Sequence, residues 1–267
     1  MTLIYHCPLC QAPLKKTGNS MSCENRHQFD FAKEGYVNLL PVQNKKSKQP
    51  GDNLDMVQAR RAFFATDHYH FLRQEIVNLI ALSSPQTLLD LGCGEGFYTQ
   101  LFANELPGCD VYGLDISKSA VRYAAKRYKG ANFSVASAKQ APFANESMDC
   151  VVTVFAPAFE QELQRLVKKT GKVILVNPGP MHLFELKSLI YPVVNLHTHP
   201  DIPAGFQLIK HHGLDRQVEI KTEIIEHLIQ MTPFAWKFKE SHYEALKKKQ
   251  SHTITLSFYL SECQKVN

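Results

Sequence analysis

Four residues near the start of the chain have the types and spacing that hold a metal ion. Cys7 and Cys10 stand in Cys7-Pro8-Leu9-Cys10, and Cys23 and His27 follow after a short loop. The two residues inside the first pair form a knuckle turn whose backbone N–H groups can point at thiolate sulfur. With Cys23 and His27 the set predicts one tetrahedral Zn2+ held by three sulfurs and one nitrogen. A filled tetrahedron has no position for a reactive water, so the zinc is expected to be structural. His6 adjoins Cys7 and cannot easily reach the same ion.

A second set begins at Asp90 and reads Asp90-Leu91-Gly92-Cys93-Gly94-Glu95-Gly96. The apolar run at residues 87–91 predicts a strand leading in, and residues 97–106 predict a helix leading out. A second strand at 110–114 ends in Asp115. Glycines let the backbone turn tightly and approach a ligand at the C-terminal edge of a parallel sheet, and an acid ending the next strand can bind ribose hydroxyls. Dinucleotides and S-adenosylmethionine both use this arrangement. The dinucleotide form is GxGxxG, whereas this loop is GxGxG with an acid just before it. Carboxylates here would repel a pyrophosphate and tolerate a sulfonium, so S-adenosylmethionine is favoured. Ser137, just after a third strand at 133–136, stands where an adenine would lie.

The remaining elements must position these two sets. Helical spacing runs through residues 55–80, and strands at 150–154 and 172–176 flank a helix at 160–168. Alternating strands and helices predict a doubly wound α/β sheet. Residues 251–260 read as an antiparallel edge strand. Residues 1–42 read as a small zinc-binding domain whose folding depends on the metal, 43–54 as a polar linker, and 55–267 as the nucleotide-binding α/β domain. Of 267 residues, 30 are Lys or Arg and 25 Asp or Glu, a net charge of +5. Residues 1–84 carry a net of +3, residues 85–236 a net of −1, and the last 31 residues +3. Basic ends around a near-neutral middle point to an anionic partner, with nucleic acid first. No apolar run reaches the ~20 residues of a membrane span, and no secretory signal is apparent, so a cytoplasmic protein with no membrane partner is expected.

The 89–96 motif, Asp115 and Pro142-Phe143…Ser147-Met148-Asp149 together resemble class I S-adenosylmethionine-dependent methyltransferases, a Rossmann-like fold on a mostly parallel seven-stranded sheet. The zinc knot, the stretch from His27 to Pro41, Gln58-Ala59-Arg60-Arg61 and Gln230-Met231-Thr232-Pro233-Phe234-Ala235-Trp236 narrow the resemblance. They are similar to the 23S rRNA (guanine-N1)-methyltransferases, which modify a hairpin loop in domain II. The resemblance runs nearly end to end. It implies Cys7, Cys10, Cys23 and His27 as zinc ligands, and cofactor contacts at residues 92–96, at Tyr69 and at His182. It also implies a homodimer.

Methyl transfer is an in-line displacement that needs alignment and a lone pair on the acceptor. Guanine N1 carries a hydrogen, so a general base would help; Glu160 and His182 are the candidates. Carbon-5 methylation of a pyrimidine needs a cysteine nucleophile, which the segment after the fourth strand lacks. Phe155-Ala156-Pro157-Ala158 in that place also lacks the polar lead residue of adenine amino-group methyltransferases. Candidate RNA contacts are Lys15, Lys16 and Arg26 in the zinc domain, Lys45, Lys46 and Lys48 in the linker, and Arg60 and Arg61, with Tyr36, Phe63 and Phe64 as possible stacking partners. Two alternatives stay open: a small-molecule methyltransferase with a structural zinc knot, and an RNA-binding protein whose catalytic core has decayed.

Overall fold

The computed structural model describes residues 3–44 and 51–266, with the side chain of Asn44 left aside. The first hairpin, β1 (Lys15–Thr17) and β2 (Ser20–Ser22), joins β3 (Gln28–Asp30) in a three-stranded antiparallel sheet around the zinc-type residues. Two-residue β4 (Val37–Asn38) then leaves that sheet and pairs in parallel with a strand of the main domain. Helix α1 (Leu54–Phe64) starts at Asn53, whose side chain accepts the Met56 N–H and so caps the first turn. Helix α2 (His70–Ala81) follows.

The chain next alternates as expected. It runs β5 (Thr87–Leu91), α3 (Phe97–Glu105), β6 (Asp110–Asp115), α4 (Lys118–Arg127), β7 (Asn132–Val135), β8 (Met148–Val154), α5 (Glu160–Leu166), β9 (Val167–Pro178) and α6 (Phe184–Ser188). It closes with β10 (Phe206–Lys221), α7 (Thr222–Gln230), α8 (Glu240–Lys247) and β11 (Ser251–Lys265). The main sheet has the order β10-β11-β9-β8-β5-β6-β7-β4, antiparallel at β10 and β11 and parallel elsewhere.

Two differences from expectation have physical reasons. The sheet has eight strands rather than seven, because β4 of the N-terminal segment adds to the free edge at β7. The C-terminal strand is antiparallel but not an edge, because β10 pairs along its whole length. No helix among the described residues is long and apolar enough to cross a membrane.

Strand pleating sorts the apolar residues onto two faces. Leu88, Val111, Cys150, Val152, Ile174 and Val176 pack under α2, α3 and α7. Leu89, Leu91, Tyr112, Val151, Val173 and Leu175 point the other way, toward α5 and the N-terminal segment. Both faces are covered, so the central strands read as continuous apolar runs.

Candidate functional site

The cofactor-type loop is built by close approach. Gly92 has φ +90°, and a Cβ there would sit 2.5 Å from the Ala156 Cβ. Only glycine lets this turn lie against the segment that follows β8. The Gly92 and Cys93 N–H groups donate to the Leu114 carbonyl at 2.8 and 3.0 Å, tying the loop to the end of β6. There Asp115 Oδ2 accepts the Gly94 N–H at 3.0 Å and Oδ1 accepts the Ser117 N–H at 2.7 Å, which fixes its carboxylate. Asp90 is buried, and its Oδ2 accepts the Thr99 hydroxyl at 2.6 Å, pinning the first turn of α3. Gly96 serves packing: a Cβ would meet the Ala124 Cβ at 2.9 Å.

A cavity of about 840 Å³ opens over these groups. Gly92, Gly94, Glu95, Asp115, Ser137, Tyr69 and His182 all line it. Asp90 and Gly96 support the loop from behind and are not part of the wall. The carboxylates on and behind this wall are buried. Burial pushes Asp90 and Glu95 up to about 7 and raises Asp115 as well. Glu95 Oε2 is buried without a hydrogen-bond partner and stands 3.9 Å from Arg60 Nη1. A buried, unpartnered carboxylate in the wall of a nucleotide-sized space suits a ligand with a cationic end, as S-adenosylmethionine has.

Beyond the glycine loop, the same cavity is walled by the C-terminal ends of β8 and β9. Phe155, Asn177, His182, Lys187 and His197 lie there. Phe155 is strained at φ +53° and 42% exposed, an unusual setting for an aromatic. The buried His182 ring accepts the Ser257 N–H on Nδ1 at 3.3 Å, while Nε2 is 3.5 Å from the Tyr69 hydroxyl. Glu160 is exposed at the start of α5 and does not line the cavity, although its neighbour Phe159 does.

The four zinc-type residues come together in the N-terminal segment, clear of the cavity wall. Their ligand atoms all lie within 4.8 Å of one another. Cys10 Sγ and Cys23 Sγ are 3.7 Å apart, and His27 Nδ1 is 3.4 Å from Cys7 Sγ and 3.5 Å from Cys23 Sγ. A tetrahedron with zinc–sulfur bonds of about 2.3 Å and a zinc–nitrogen bond of about 2.0 Å has edges of about 3.8 and 3.5 Å. The residues fit one zinc ion. Gln11 and Arg26, each next to a ligand, take positive φ of 62° and 64° in the two knuckles.

The basic residues divide. Lys15, Lys16 and Arg26 are exposed on the zinc-binding segment. Arg60 turns inward instead: it lines the cavity, pairs with Asp52 and faces Glu95. Arg61 stacks on Tyr123, 3.5 Å from the ring centroid. Tyr36 and Phe63 are buried in the core, and Phe64 stacks on Phe97 at 4.2 Å. Lys45, Lys46 and Lys48 lie outside the described residues.

Comparison with known proteins agrees with this geometry. Residues 5–48 match the zinc-ribbon family described as "RlmA, N-terminal", and residues 88–175 match "Methyltransferase domain". The Bacillus subtilis (strain 168) protein named "Putative 23S rRNA (guanine-N(1)-)-methyltransferase YxjB" is 30% identical over 275 residues, covering 95% of this chain and 94% of its own. This chain belongs to the 23S rRNA (guanine-N1)-methyltransferase family. A 23S rRNA (guanine(748)-N(1))-methyltransferase of Streptomyces fradiae is 29% identical, covering 97% of this chain and 95% of its own. A further relative from Micromonospora griseorubida, with a name of the same class, is 26% identical over 94% of this chain and 93% of its own.

Family membership fixes the fold as class I methyltransferase, with S-adenosylmethionine as cofactor and a structural zinc. Several cavity residues carried no signal in the sequence. Asp52 reaches the wall because Ser117 Oγ donates to its backbone carbonyl at 2.9 Å. Lys187 and His197 arrive on a short helix and an irregular segment with no motif to mark them. Arg60 was marked by the Gln58–Arg61 stretch and expected to contact RNA, but nothing in the sequence placed it in the cofactor cavity facing Glu95.

Proposed function

We propose that this protein transfers a methyl group from S-adenosylmethionine to N1 of a guanine in a hairpin loop of domain II of 23S rRNA. The observation that carries the proposal is the single cavity joining the glycine loop and Asp115 to Phe155, Lys187 and His197, in a chain that also bears an RlmA-type zinc ribbon. S-adenosylmethionine supplies the electrophilic methyl group. Asp115, held by two backbone amides, accepts from the ribose hydroxyls. Glu95 faces the cationic end of the cofactor, and Ser137 lies at the adenine. Tyr69 and His182 close the wall between cofactor and target.

The target base has to leave its stack to enter such a cavity, and Phe155 offers it a ring face. Cys7, Cys10, Cys23 and His27 hold the zinc, and Lys15, Lys16 and Arg26 present charge to phosphate. Residues 1–42 are read as the RNA-recognition unit, 43–54 as a linker and 55–267 as the catalytic unit. Family resemblance supports a homodimer acting in the cytoplasm, and sedimentation of the purified chain tests the pairing. The intact loop and the fixed Asp115 carboxylate favour catalysis over a decayed core.

Mass mapping of methylated nucleotides in 23S rRNA, from cells with and without the protein, tests the function. One N1-methylguanine in the domain II hairpin should vanish without it. An unchanged map, together with methyl transfer to a small molecule, would overturn the proposal.

A further inference from the structure

Guanine N1 bears a proton near neutral pH, and its electron pair becomes fully available for attack only as that proton leaves. Neither expected acceptor is placed to take it. Glu160 is exposed and away from the cavity wall. His182 lines the wall, but the Ser257 N–H can only donate, so Nδ1 holds the ring's lone pair and Nε2 carries its proton toward Tyr69. Both nitrogens are occupied.

Lys187 and His197 remain. They line the target end of the cavity, and Lys187 Nζ lies 2.7 Å from His197 Nε2. A hydrogen bond of that length needs one donor and one acceptor. Either a lysinium donates to a neutral imidazole, or an imidazole N–H donates to a neutral amine. In both cases the pair holds at least one proton fewer than it could carry. No carboxylate lies within salt-bridge distance of Lys187 or His197 among the described residues. Glu185 of the same helix is turned away, accepting the Thr255 N–H and hydroxyl of β11. Of the other titratable groups, His182 in the turn before α6 feels the Lys187 charge, and Tyr191 stands one turn further along, its N–H donating to the Lys187 carbonyl at 2.9 Å.

We propose that the Lys187–His197 pair accepts the N1 proton of the target guanine. This rests on the methyltransferase function proposed above. The N1–H bond breaks and leaves its electron pair on nitrogen. The proton passes to Lys187 Nζ, with the His197 ring turned to it as hydrogen-bond acceptor. The N1 pair forms a bond to the methyl carbon as the carbon–sulfur bond breaks and its electrons go to sulfur, cancelling the sulfonium charge. The proton then leaves to water by way of His197, which is half-exposed. Burial lowers the pKa of both groups, and the Lys187 charge lowers that of His197 further, which keeps the pair short of a proton between catalytic cycles.

The test uses the full-length protein, S-adenosylmethionine and a transcript of the domain II hairpin, with single-turnover methylation followed against pH. Lys187→Met should lower the rate near pH 7 by roughly 10²–10⁴-fold, the usual contribution of a general base. The residual rate should then rise tenfold per pH unit as hydroxide replaces the amine. Cofactor and hairpin affinities should stay within about threefold, and added methylamine should restore rate to Lys187→Ala. A second readout needs no turnover. In protein whose lysines carry ¹³C-methyl labels, the signal missing from Lys187→Met should titrate below the other lysines and move upward in His197→Gln. Wild-type rates in Lys187→Met, or a Lys187 signal that titrates with the rest, would overturn the proposal alone. A wild-type protein that methylates no guanine N1 would overturn the functional reading and the proposal with it.

Discussion

A buried carboxylate whose nearest cation stands 3.9 Å away is balanced between two charge states, and Glu95 is in that position. Burial lifts it from its ordinary 4.5 to about 7, with Arg60 pulling the other way. The folded chain therefore keeps a proton that the unfolded chain has released. Stability from this source is highest below about pH 4.5 and declines as pH rises through 7. Glu95→Gln removes the dependence. In scanning fluorimetry without cofactor, the variant should melt a few degrees above wild type at pH 8, from roughly 2 kcal/mol, and level with it near pH 4.5. The same variant should bind S-adenosylmethionine about tenfold more weakly, because the charge that strains the empty cavity is the one facing the ligand's cation. Asp115 differs in having both oxygens engaged by backbone amides. Asp115→Asn keeps the shape but turns one acceptor into a donor facing an N–H. Calorimetry should show cofactor affinity falling about 10–100-fold, the range for hydrogen bonds to a charged group, with hairpin affinity unchanged.

At the scale of elements, the glycine loop and the segment after β8 are one assembly, because Gly92 and Ala156 touch where a side chain would collide. Gly92→Ala adds a methyl group at positive φ against that contact. It should cost roughly 1–3 kcal/mol and, in calorimetry, remove most cofactor binding by pushing the loop away from Asp115. If Gly92→Ala bound cofactor normally, the close approach would have no role in the site. This scale also explains what could be read from the sequence. β5, β8 and the centre of β9 are buried on both faces and announce themselves as apolar runs. Strand β10 covers 16 residues, yet only Phe206 and Ile220 are buried, so its polar pattern concealed it. Strand β4 is two residues long and exists only because β7 offers it an edge. The site followed the same division. The glycine loop, Asp115 and the zinc ligands are local in sequence and were legible. Arg60, Asp52, Lys187 and His197 meet the cavity through long-range packing, which no spacing rule encodes.

Across the whole molecule, the zinc-binding segment and the cavity are linked without sharing residues. The cavity wall draws on residues from Gly51 onward and on none of the described residues before it. The zinc segment nevertheless inserts Tyr5 against the main sheet, stacked on Phe143 with centroids 5.0 Å apart and edge-on to Tyr112 at 5.5 Å. It also adds β4 to β7, and Glu34 pairs with Arg122 of α4 at 2.8 Å. Cys10→Ser removes one of four ligands, and a knot of this size depends on its metal for folding. Loss of the knot should therefore strip packing from one face of the sheet and lower the melting temperature by several degrees, while leaving the glycine loop and Asp115 in place. Calorimetry should find cofactor affinity within about threefold of wild type. Filter binding should find hairpin affinity reduced at least tenfold, with a shallower dependence on salt as Lys15, Lys16 and Arg26 lose their fixed positions. Chelation of the wild-type protein should reproduce both results, and zinc should reverse them. If Cys10→Ser stayed folded yet lost cofactor binding more than tenfold, the contacts of Tyr5 and β4 would be transmitting the state of the knot to the cavity. Cofactor site and zinc-binding segment would then be coupled through the shared sheet, and the separation of tasks between them would fail.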